Sequence, residues 1–478
     1  MALLNTELCA LGVLELARLY RSGKLSPVEV TQATLERIER LNPELNAYLT
    51  VLGDSALAAA RAAEIQLGAG IDLGPLHGVP VSVKDIIRVK GTRTSAASKV
   101  LHDAPPDAED ATVVRRLRAA GAVLAGKVNL HEFALGDPDP EGPFGNVQNP
   151  RKLGHQSGSS SSGSGAATAA GLGVLSLGSD TGGSIRHPAA VCGVVGLKPT
   201  YGLVPVRGVI PLSVQLDHVG PLGRAVADVA AGLTVIAGQD PRDPYSIQAP
   251  AVDYVAALEQ EVRGLRLGIP TNAFFRFGLP VALALVEGAQ KALIDCGLVP
   301  IPVELPRVQE ATELVRTLFI PVDLWAYHEH YRAREALYGR NFRERALPGR
   351  EIRAPQYLHA KDAQAEIRRD WLALFEQMDV LVLPANVAGA APHGQSAITI
   401  DGVSHPLRAV TAPYNPVANI TGFPAMVLPV GETPEGLPIA VQLMGPPLSE
   451  ARLLAVGQVL EQALGNLTAK WGIEPRRG

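Results

Sequence analysis

SGSSSSGSGAATAAGLGVLSLGSDTGGS, residues 157–184, is the stretch on which the reading of this 478-residue chain turns. A Ser/Gly run standing alone reads as a flexible linker leading into solvent. This one leads instead into the Ala-rich segment 166–170 and the apolar run Val174 to Leu177, so both of its ends are anchored in a core. The order predicts a loop, an Ala-rich helix, a strand and a second Gly-rich turn, and backbone amides in such a loop can line a site. In the second turn, Asp180-Thr181-Gly182-Gly183-Ser184-Ile185-Arg186, two glycines let the chain bend tightly and expose consecutive N–H groups, which is what an oxyanion hole needs. An ordinary tight turn has the same sequence signature.

Working outward, Ser26-Pro27-Val28-Glu29 predicts a helix start, with Ser26 as cap, Pro27 in the first turn and Glu29 reaching back. The helix should run to about Leu41, with Val30, Ala33, Ile38 and Leu41 on one face. An Ala-rich helix is expected from Asp54 to Leu67, and Val81-Ser82-Val83-Lys84-Asp85-Ile86 reads as a strand. Asp110 is expected to cap a helix through Ala120 that stops at Gly121, followed by a short buried strand, Ala122 to Ala125. Alternating strands and helices place the chain in the α/β class. Residues 240–380 are more helical and richer in Arg and Glu, after which Val380 to Pro384 and Ala425 to Pro429 return to buried strands and Ser449 to Leu464 forms a closing helix. No Pro/Ser linker brackets the middle, so one domain is expected over 1–478: N-terminal helices at about 10–70, a core at about 71–235, the variable segment at about 240–380 and a return to the core at about 380–470.

Composition narrows the class. Hydrophobic residues make up 47% and charged residues 19%, which excludes a mainly disordered chain. Lys+Arg 43 against Asp+Glu 47 offers no basic field for phosphate backbones or anionic lipid, and disfavours direct nucleic-acid binding. Cys9, Cys192 and Cys296 are scattered without a CxxC pair, so neither a disulfide framework nor a thiolate metal site is expected. Glu7 and Glu15 fall where a signal peptide would be apolar, and each long apolar run is broken by Gly, Pro or charge. A reducing, cytoplasmic setting is expected.

Several motif-like stretches fail on their own chemistry. Gly121 to Lys127 has the spacing of a phosphate loop, but Val128 stands where Mg²⁺ chemistry needs Ser or Thr, and the stretch reads as strand. Gly163-Ser164-Gly165 opens like a dinucleotide fingerprint, yet Thr168 occupies the third small position. His328 and His330, two apart, would point to different faces of a helix, which reads as a surface helix rather than a metal pair. No serine from 157 to 184 has Gly at both −2 and +2, so the nucleophile elbow is absent. Lys84, one of few lysines in an arginine-rich chain, reads by itself as a solvated strand residue; a role as base would require its burial.

Taken together, GPLHGVPVSVKD (74–85), DATVVRRLRAAGAVLAGKVNLHEFALG (110–136), the Ser/Gly loop and LGSDTGGSIRHPAAVCGVVGLKPTYGLVP (177–205) resemble the amidase signature family. LDHVGPL (216–222) and GFPAMVLPVGETPEGLPIAVQLMG (422–445) add to the resemblance, which runs from about residue 14 to 464. It implies the family's mixed central β-sheet covered by helices on both faces. It also implies a Ser-cisSer-Lys triad of nucleophile Ser184, bridging Ser160 and base Lys84, with oxyanion donors around Thr181, Gly182, Gly183 and Ser184. An unperturbed lysine lies ~3.4 units above pH 7, so neutralising it costs ~4.6 kcal/mol, within reach of burial. Two family glycines are replaced here by Ser159 and Ser162, and the segment after the EFA-G motif is Asp137 to Pro143, unlike the small polar stretch of tRNA-dependent members.

The function so implied is a stand-alone amidase that cleaves a carboxamide C–N bond through a serine acyl-enzyme. It would act on a small-molecule amide or carbamate, with no metal or organic cofactor, no nucleic-acid or membrane partner, and a homodimer open. Carbamates, ureides and aryl esters present the same carbonyl. The glutaminase component of a glutamyl-tRNA amidotransferase, its A subunit, shares the triad but passes ammonia to a partner, and is the alternative within the family; a catalytically silent scaffold is the one outside it.

Overall fold

The structure, a computed structural model, describes residues 5–136, 142–407 and 414–477. Its centre is a mixed sheet of eleven strands. In chain order these are β1 (Tyr48–Val51), β2 (Pro80–Lys84), β3 (Val123–Val128), β4 (Leu175–Asp180), β5 (Val195–Lys198), β6 (His218–Gly223), β7 (Arg266–Pro270), β8 (Val299–Val303) and β9 (Val380–Pro384). A separate hairpin, β10 (Ala397–Ile400) and β11 (Val403–Pro406), precedes the last two sheet strands, β12 (Ala425–Glu432) and β13 (Pro438–Met444). Across the sheet the order is β1-β3-β2-β4-β6-β5-β12-β13-β9-β7-β8. β2 pairs in parallel with β3 and β4, β7 in parallel with β8 and β9, and the strands between are antiparallel.

β2 shows why the sheet can hold a charged group inside. All five of its residues are buried, because it lies between two strands and packs against the helices Pro27–Leu45 and Ser162–Ala169. The apolar positions Val81 and Val83 face one layer; on the other, the Ser82 hydroxyl donates to Ser176 of β4 at 2.9 Å. The alternation that reads as a half-solvated strand is therefore buried throughout, and Lys84 at its end is fully covered rather than solvated. Lys127 of β3 is buried too, ion-paired with Asp85 at 2.5 Å.

The helix Pro27–Leu45 has the expected capping box, Val28 N–H donating to Ser26 Oγ at 2.9 Å and Ser26 N–H to Glu29 Oε2 at 2.8 Å. It continues one turn past the expected end and stops at Asn46 in left-handed backbone. Two expectations are corrected. Asp110 does not cap the helix Thr112–Ala119, whose N-cap is Ala111; its carboxylate accepts from the Lys90 amide instead. The more helical middle segment also supplies β7 and β8, which extend the same sheet at one edge. His328 is not on a surface helix but buried against Phe133 and Phe342, its Nδ1 2.8 Å from the Tyr338 hydroxyl.

The helix Ser162–Ala169 starts inside the Ser/Gly run and is buried along its whole length. Small residues allow this: a Cβ at Gly163 would sit 2.5 Å from the backbone N and O of Asn129. The helix thus seats directly on the end of β3 and carries the preceding loop, 157–161, over the ends of β2 and β4.

Candidate active site

Parallel register places Val83 opposite Leu177, so Lys84, the last residue of β2, lies beside the second half of β4. The loop 157–161 crosses above it. Lys84 Nζ lies 2.7 Å from Ser160 Oγ, 2.9 Å from Ser161 Oγ and 2.8 Å from Ser179 Oγ. Among the described residues it forms no ion pair. Three hydroxyls around one nitrogen serve either protonation state: all three can accept from an ammonium, and one can turn to donate to a free amine. Burial drives Lys84 down to about 7, against the Asp180 and Asp217 carboxylates, which pull it upward.

Ser184 enters from the other side, after β4. The Ser161 N–H donates to the Ser184 carbonyl at 3.2 Å, tying the loop to the turn, and the Ser159–Ser160 peptide is cis. Asp180 organises the turn: one carboxylate oxygen accepts the Gly183 N–H at 2.8 Å, the other the Ile185 N–H at 3.1 Å, and both are held by Arg186. Burial alone would raise Asp180, but Arg186, Asn419 and Lys198 hold it well below the usual carboxylate range. Gly183 has φ 118°, and a Cβ there would meet the Asn415 side chain at 2.5 Å, so the position requires glycine.

Ser184 lines a cavity of about 120 Å³ together with Ser159, Gly182, Gly183, His187 and, from the middle segment, Arg316 and Arg345. Among the expected residues, Lys84 and Ser160 are in direct contact, and Ser184 faces the same cavity as Gly182 and Gly183. At the expected oxyanion turn the Gly183 amide is bonded to Asp180, whereas those of Gly182 and Ser184 form no hydrogen bond among the described residues. Thr181 directs its hydroxyl to buried Asp217 at 2.5 Å. Burial lifts Asp217 to about 6, opposed by that hydroxyl and by the Leu212 and Ser213 amides.

Sequence reasoning missed Ser161 and Ser179 beside the lysine, Asp217 under the turn, and His187. Only strand register could have revealed Ser179, and nothing in the composition of the loop separates Ser161 from its neighbours. Of the acidic segment 137–143, residues 137–141 lie outside the described residues.

Residues 29–454 match the family described as Amidase. The chain is 39% identical to the A subunit of the glutamyl-tRNA(Gln) amidotransferase of Roseiflexus castenholzii, over 96% of each chain. Among solved structures it resembles, with TM-score 0.89 and 33% identity over 95% of this chain and 98% of the other, one described as a vestigial protein complex revealing the origins of an s-triazine catabolic enzyme. It also resembles the peptide amidase of Stenotrophomonas maltophilia, with TM-score 0.81 and 33% identity over 94% and 96% of the two chains. That the Roseiflexus relative is a subunit of a glutamyl-tRNA(Gln) amidotransferase overturns the expectation of a stand-alone enzyme acting on a small-molecule amide or carbamate with no direct nucleic-acid partner. The expectation failed because net charge sums over a whole surface and is blind to what an assembly brings to it.

Proposed function

The chain belongs to the amidase family, and from that premise we propose that it is the A subunit of a glutamyl-tRNA(Gln) amidotransferase, releasing ammonia from a carboxamide donor such as glutamine for use elsewhere in the assembly. It is an enzyme of amide C–N bond cleavage. The observation that carries the finer reading is the near end-to-end match to amidotransferase A subunits, on a chain whose buried lysine contacts Ser160. Residues 1–478 act in this reading as one domain, in the cytoplasm; strands from both sides of the variable segment share one sheet.

In the proposed mechanism Lys84, as free amine, takes a proton through Ser160 while Ser184 Oγ bonds to the amide carbon. The carbonyl oxygen becomes an oxyanion held by amides of the 181–184 turn, with Gly182 and Ser184 rather than Gly183 as the free donors. Lys84 returns the proton through Ser160 to the nitrogen, the C–N bond breaks and ammonia leaves. Water then adds to the acyl-serine, its proton following the same path, and the carboxylic acid departs with Ser184 restored. Burial of Lys84 is what makes a neutral base available near pH 7.

The test is reconstitution. Ammonia release from glutamine should rise at least about tenfold when the chain is combined with the remaining subunits of a glutamyl-tRNA(Gln) amidotransferase and glutamylated tRNA, and the tRNA should become amidated. Turnover of simple amides by the isolated chain, with no gain and no amidated tRNA in the mixture, would overturn the proposal.

A further inference from the structure

We infer that His187 is a positioning residue, latching the loop that carries Ser160 to the turn that carries Ser184 through the lone pair on its Nδ1. This rests on the roles proposed for those two serines. His187 is the third residue after Ser184, and its backbone N–H donates to the Gly183 carbonyl at 2.7 Å, so its ring moves with the turn. The Ser159 N–H donates to His187 Nδ1 at 3.1 Å. Ser159 immediately precedes Ser160, whose hydroxyl lies 2.7 Å from Lys84. The path from turn to relay is thus two hydrogen bonds and one imidazole.

A second observation places loop and helix in contact at the same point. Gly158 has φ 80°, and a Cβ there would lie 2.5 Å from Pro188 Cα, in the helix Arg186–Cys192 that bears His187. The loop therefore lies directly on that helix, and His187 supplies the acceptor where the two meet. Two further ties complete the frame: the His131 N–H donates to the Ser160 carbonyl at 3.1 Å, and the Ser161 N–H to the Ser184 carbonyl at 3.2 Å. His187 differs from these in acting through its side chain. An acceptor at Nδ1 means that nitrogen is bare, which puts the proton of the neutral ring on Nε2.

Proton relay through Ser160 needs its hydroxyl within reach of Lys84 and of Ser184 together, and displacement of such a group by about 1 Å costs up to ~10²-fold in rate. Removing the acceptor should therefore act on kcat. His187→Leu is expected to lower kcat for ammonia release by roughly 10- to 100-fold with KM within about twofold, whereas His187→Asn, whose Oδ1 occupies the place of Nδ1 and can accept the same N–H, should stay within about threefold of wild type. Thermal unfolding of each variant checks the fold; if the leucine variant does not fold, His187→Ala, which also lacks an acceptor, takes its place with the same expected loss. A leucine or alanine variant with wild-type kcat, an asparagine variant as impaired as leucine, or a loss confined to KM would overturn the latch. Ser184→Ala, run alongside, separates the two levels: an inactive Ser184→Ala with an unimpaired His187→Leu rejects the latch alone, while an active Ser184→Ala rejects the serine assignment beneath it.

Discussion

Lys84 must be uncharged to accept a proton, and burial is the means. Its neighbours are hydroxyls rather than carboxylates, so nothing in direct contact holds the proton on. With the amine brought down to about 7, the catalytic rate should climb tenfold per pH unit below that value and level off above it, as the free-amine fraction saturates. Lys84→Arg should abolish this activity as fully as Lys84→Ala, because a guanidinium stays protonated and cannot take the proton. A pH–rate profile of the wild type beside kcat of both variants checks the point; an arginine variant with near-normal kcat would mean that the position only supplies positive charge. The lysine itself was legible in the sequence through its motif, but its burial was not. Val-Ser-Val-Lys has the period of a strand with one wet face, and the Ser82–Ser176 hydroxyl pair that dries that face forms between residues 94 positions apart.

At the scale of elements, the site depends on how closely a helix can approach a strand. The helix Ser162–Ala169 reaches the Asn129 backbone only because Gly163 has no side chain, and this approach sets the height of the loop above Lys84. Gly163→Ala should displace the helix start. A stability loss of about 1–3 kcal/mol, seen as a lower denaturation midpoint, should accompany a kcat loss out of proportion to it under conditions where the variant is folded. Unchanged stability and rate would show that the contact is slack. The run was readable as loop, helix, strand and turn, since alanine content and an apolar strand mark those elements. The point where loop becomes helix was hidden because Ser162, Gly163 and Ser164 are weak helix formers that packing, not propensity, holds in place. Asp110 misled for the opposite reason: its residue type suits a cap, but the Lys90 amide competes for it.

Across the whole molecule, a sheet built from residues 48 to 444 brings β2 and β4 together as parallel neighbours, while the middle segment closes the cavity with Arg316 and Arg345. The α/β class was legible from alternation alone. That β7 and β8 join the same sheet was not, because Val299 to Val303 alternates with proline and β7 is short and half-buried. Partners were the least legible property, since no local pattern separates an enzyme acting alone from one component of a complex with the same site chemistry. The account stands or falls on a covalent bond at Ser184. Acid quenching during turnover of an amide substrate, followed by intact-mass spectrometry and peptide mapping, should find one acyl group per chain on the peptide containing Ser184 and none on Ser184→Ala. An adduct on another residue, or steady turnover by the Ser184→Ala chain, would contradict it.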